Sequence, residues 1–209
     1  MSVSQQPAPA RSDLAVAASD AAATPAVRYP FRRHGFLLTI GSTVWAATMV
    51  LFDLDPTSRV GEIGYAFGSG LFQTGLLALL WVLWKTDALG TGKVAKTALG
   101  IETVLVTLAI GSTIADGVGI SDLNQPGWAL LDAFWPFSMF GMFLIGIRIA
   151  VAGQWRGVRR FWPMVAESWA VVTIPTLIVF GPIVAQVVAP LHLLVGYAVL
   201  GVLVATKPR

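Results

Sequence analysis

Apolar residues in this chain come in long uninterrupted runs, and polar residues come in short clusters between them. The run lengths predict six spans, at about 35–54, 61–84, 94–115, 128–152, 162–181 and 184–206. The last two come from one apolar block, Trp162 to Thr206. As a single helix that block would measure about 68 Å, roughly twice what a bilayer needs. It must break at Gly181-Pro182 or in the Gln186–Pro190 region, because proline removes a backbone donor and glycine permits a turn. The fold expected is therefore all-α: a polytopic membrane protein with six transmembrane helices.

Residues 1–30 show no apolar period and are rich in Ala, Ser, Pro and Gln. Such a segment buries too little to offset its ordering entropy, and it reads as a disordered cytoplasmic tail. Residues 31–209 form the transmembrane bundle.

Charge orients the spans. Basic clusters precede span one (Arg11, Arg28, Arg32, Arg33), separate spans two and three (Lys85, Lys93, Lys96) and separate spans four and five (Arg148, Arg156, Arg159, Arg160). Another follows span six (Lys207, Arg209). With six spans, all but Arg59 of the 14 basic residues fall on one side, which by the positive-inside rule places both termini in the cytoplasm. The other side carries Asp53, Asp55, Glu62, Asp116, Asp122 and Asp132. Trp81, Trp84, Trp155 and Trp162 mark one interface, Trp128 and Trp135 the other. The localisation expected is the cytoplasmic membrane, and the arginine-, alanine- and valine-rich composition suggests a high-GC bacterium.

Composition narrows the chemistry. Charged residues make up 12% of the chain and mean hydropathy is +0.73, so most of its surface suits lipid. Basic residues sit only at span edges, which argues against a nucleic-acid partner. The chain has no cysteine, which excludes disulfides and thiolate sites, and no cofactor or metal is expected.

Ionisable groups within spans call for a partner or a purpose. Glu102, Thr113 and Asp116 share one face of span three, although Glu102 lies about 21 Å from Asp116 along the axis. In span four, Pro136 should free the backbone carbonyl of Asp132 beside its own carboxylate, a candidate seat for a cation or proton. Pro190 should act likewise on Gln186, and His192 could face Asp132 or Asp116. Pro175 should kink span five, and Glu167 could reach Glu102 or Arg148. The candidate ion or proton site is thus Asp132, Asp116, His192 and Glu102. The structural alternative is that Asp132 caps span four or pairs with Arg59. In span two, Gly64, Gly68 and Gly75 share a face and should pack on another helix, within the chain or across a homo-oligomer.

Ser138 and His192, on spans four and six, resemble the serine–histidine pair of rhomboid-type intramembrane proteases, which also have six core spans. The resemblance implies an intramembrane hydrolase. The G-x-S-G nucleophile signature of that family is absent, however: Ser138 lies in WPFSMFG, and Ser69 lies in FGSG behind Phe67. Two functional classes remain ahead of it. One is a non-catalytic subunit or accessory protein packing on a membrane partner. The other is a small cation- or proton-coupled carrier using the outer carboxylates.

Overall fold

The computed structural model describes residues 29–208, and the proposed N-terminal tail lies outside them apart from its last two residues. Among the described residues all regular structure is helical, and six helical stretches are long and apolar enough to cross a membrane. In order these are α1 (Arg32–Phe52), α2 (Arg59–Lys85), α3 (Lys93–Val118) and α4 (Pro126–Ala152), followed by two composite spans. Span five consists of α5 (Val158–Glu167) and α6 (Trp169–Phe180). Span six consists of α7 (Pro182–His192), a π-helical stretch (Leu193–Ala198) and α8 (Val199–Ala205).

The helix ends follow from local chemistry. Ser58 caps α2 by accepting from the Gly61 amide at 3.2 Å, and Pro126 opens α4 where no amide donor is needed. Gly119 closes α3 in the left-handed region (φ 75°), with bonds from Gly119 to Asp116 and from Ile120 to Ala115, both 3.0 Å. The apolar block breaks at Gly181 (φ 79°), with Pro182 starting the next helix.

Trp169–Phe180 runs through Pro175 unbroken, and the interruption in span five falls at Ser168, whose hydroxyl turns back onto the Val165 carbonyl (2.8 Å). Span six also continues past Pro190 and widens into the π stretch Leu193–Ala198.

Sequential spans pack as neighbours, and span six closes back on α1. Gly64, Gly68 and Gly75 all face α1. A Cβ on Gly68 would stand 3.1 Å from the Trp45 Cα, and one on Gly75 would stand 2.8 Å from the Leu38 Cα. Glycines at these positions let the two backbones approach closely enough for dispersion contact along the pair. The core centres on Trp45, fully buried, which stacks on Phe72 (4.8 Å) and touches Trp135 and Trp169.

Residues 29 and 208 lie at the same end of the bundle, the terminal end; the α1–α2 and α3–α4 loops form the far end.

Candidate functional site

A cavity of about 600 Å3 opens at the far end between the α1–α2 loop, α2, α3 and α4. That volume suits a small molecule. Each wall follows from a local feature. Asp53 ends α1 at a positive φ (67°) that favours glycine, and its carboxylate is held by Gln186. The turn brings Leu54, Asp55 and Pro56 onto the cavity. The first two turns of α2 add Arg59, Glu62 and Tyr65; the end of α3 adds Asp116 and Thr113; α4 adds Asp132 and Trp135.

The cavity is electrostatically lopsided. Arg59 is its one basic residue, and its guanidinium is already engaged. It pairs with Glu62 at 3.0 Å and donates to the Gly117 carbonyl at 2.7 Å, satisfying the C-terminus of α3. Asp55, Asp116 and Asp132 have no such compensation: among the described residues none of them forms an ion pair. Asp132 accepts one long bond, 3.4 Å, from Ser112. Asp116 is exposed and Asp132 half-buried. By contrast Asp122 lies outside the cavity lining and is satisfied locally by Gln125 and Asn124, which hold its carboxyl below the ordinary aspartate value.

The floor is aromatic. Trp45, Tyr65 and Trp135 close the cavity from below, and Phe72, Trp169 and Tyr197 continue the cluster inward. Gln73 donates to Thr113 at 2.9 Å beside this floor.

The four sequence-nominated residues do not meet at one point. Asp116 and Asp132 line the same cavity. Glu102 is buried at a different level and lines a separate groove. His192 faces span five: its Nε2 lies 2.9 Å from the Val165 carbonyl and 3.5 Å from the Ser168 hydroxyl. A nitrogen that donates to a carbonyl carries a proton and cannot act as a base toward Ser168. Ser138 donates to the Trp135 carbonyl at 2.8 Å, so the serine–histidine pair is not assembled. Arg59 pairs with Glu62 rather than Asp132. Among the described residues no three His, Asp or Glu side chains cluster to hold a metal ion.

Sequence reasoning missed two members of the cavity, Asp55 and Glu62, because it read them as ordinary loop charges. It also missed the bond from the Tyr197 hydroxyl to Glu167 (2.5 Å) across spans five and six. The signal was present: a tyrosine and a glutamate, each inside an apolar run, are costly unless paired.

Compared with known proteins, the chain matches no family model, no curated sequence and no solved structure.

Proposed function

We propose that this is an integral membrane carrier that admits a small cationic solute through the far-end cavity. One observation carries the reading: Asp55, Asp116 and Asp132 line a single cavity whose only arginine is already neutralised. Uncompensated charge of one sign in a cleft with low-dielectric walls concentrates the opposite charge. With no three-ligand metal cluster among the described residues, the favoured solute is an organic or monovalent cation. The charge distribution along the chain supports an orientation with both termini cytoplasmic and this cavity open to the outside of a bacterial cytoplasmic membrane.

The aromatic cluster serves as the closed gate of such a carrier. A second polar level, Glu102 and Glu167, lies in the bundle interior, as alternating access needs. The test is uptake of labelled methylammonium into liposomes containing the purified protein. Asp116→Asn and Asp132→Asn should each lower uptake about tenfold while insertion is unchanged, since removing an intramembrane charge lowers the insertion cost. Uptake equal to that of empty liposomes, or indifferent to both substitutions, contradicts the carrier.

The second reading, an accessory subunit that packs on a membrane partner or on a second copy of itself, is favoured by α6. Ile174, Leu177, Ile178, Val179 and Phe180 are all exposed there, and the helix packs mainly on α7. Mild-detergent purification that brings down a stoichiometric membrane partner would support it.

A further inference from the structure

A groove of about 760 Å3 runs between α3 and α4 toward the terminal end. Its walls include Ile101, Phe137, Phe140 and Leu144, all exposed on the flank of the bundle. In a bilayer that flank meets acyl chains, so the groove opens sideways to lipid.

Glu102 forms its back wall. The side chain is buried (2% exposed) and Oε1 has no hydrogen-bond partner. Oε2 fills the space left by the missing Cβ of Gly141, so the carboxyl reaches between the two helices only because residue 141 is glycine. Behind it stand Glu167 and Tyr197, close enough for the three groups to interact electrostatically; the Tyr197 proton is committed to Glu167. None of these neighbours gives Glu102 a positive partner. Arg148, the one basic residue lining the groove, sits at its terminal rim with Nε on the Leu89 carbonyl (3.2 Å). Seven residues of α4, about 10 Å of rise, separate it from Gly141.

A buried carboxyl without a partner holds a proton until a cation takes its place, and that cation must suit the walls as well. A hydrated metal ion would find an apolar slot and one carboxylate. A phosphate headgroup would bring like charge to Glu102. A cation wrapped in apolar substituents meets both demands. We propose that this groove binds a lipophilic cation, an ammonium or phosphonium with apolar substituents, which enters from the bilayer and seats its charge on Glu102. Glu102 figures in the carrier reading as well, but this groove is lined by none of the far-end cavity residues, and its binding does not rest on that reading.

The experiment uses the full chain in detergent and two probes of matched size and opposite charge, tetraphenylphosphonium and tetraphenylborate. Tetraphenylphosphonium should bind saturably and at least about tenfold more tightly than tetraphenylborate. Glu102→Gln should weaken it about tenfold, and Asp132→Asn should leave it unchanged. Ala98 also lines the groove, and Ala98→Phe, which fills it while retaining the carboxyl, should block the same binding, so the inference stays testable if Glu102→Gln fails to fold. Equal binding of the two probes overturns the proposal. So does binding that survives Glu102→Gln or Ala98→Phe in folded protein, or that is lost instead in Asp132→Asn.

Discussion

The two ends of the bundle treat their charges in opposite ways. At the terminal end several cations are tied to backbone, although Lys96 also pairs with Asp87. Arg159 donates to the Leu203 and Thr206 carbonyls (2.8 and 3.1 Å), closing α8. Arg160 donates to the Ala150 carbonyl at the end of α4 (2.6 Å), and Lys96 to the Trp84 carbonyl at the end of α2 (3.0 Å). Each satisfies acceptors that a helix C-terminus leaves open and complements its dipole. At the far end, three carboxylates face a cavity with little to hold them. Those terminal-end cations close helices, whereas at the far end Asp55, Asp116 and Asp132 have no ion pair among the described residues.

The comparison rests on a bundle held by backbone contact, and the largest predicted effect tests that footing. Gly68→Leu should abolish monodisperse folding, because even a Cβ at residue 68 presses on the Thr48 hydroxyl and the Trp45 backbone. Overpacking of this kind costs about 1–3 kcal/mol or more. A well-behaved Leu variant with native melting would show that the α1–α2 contact is looser than described.

Next in size is the terminal end itself. Arg159→Met keeps the aliphatic stem and removes the capping bonds, and it should destabilise the protein by about 1.5–3 kcal/mol in a thermal melt. The parallel substitution Asp132→Asn at the far end should cost under about 0.5 kcal/mol, since it forfeits one long bond. Equal losses at the two ends would erase the contrast.

The smallest effect separates the far-end carboxylates from one another. The Asp122 carboxyl is held low by its bonds from Gln125 and Asn124. A depressed folded value means that its stabilisation is present above the unfolded aspartate value and lost as pH falls through the folded one. Asp122→Ala should therefore slightly lower melting at neutral pH and make no difference in strong acid, without touching solute uptake. A loss of uptake would place Asp122 in the cavity after all.

The six-helix plan was legible in the sequence because the lengths of the apolar runs carry over directly into the lengths of the helices. The break at Gly181-Pro182 belongs to the same class, since both residues act on the chain locally. Proline effects were less legible. Pro175 and Pro190 lie within helices that run on past them, while Ser168, which carries no strong breaking signal, interrupts span five. The candidate site was legible in half. Helical periodicity could set Asp116 on an inward stripe and place Asp132 one turn inside span four. It could not fix the rotation of span six, which turns His192 toward Val165 instead. Nor could it anticipate that Arg59 would be engaged by Glu62 and a helix end, and that engagement is what leaves the remaining carboxylates uncompensated.

The central claim is that an acidic cavity opens on the outer face of a membrane while the arginine-capped end faces the cytoplasm. The absence of native cysteine makes a direct measurement clean. Single cysteines at Ser121, on the cavity lining, and at Thr91, in the α2–α3 loop, are to be labelled with a membrane-impermeant maleimide in intact cells. The account predicts labelling of Ser121→Cys in intact cells and of Thr91→Cys only after permeabilisation. Labelling of Thr91→Cys in intact cells, with Ser121→Cys protected, would put the acidic cavity on the inside and contradict it.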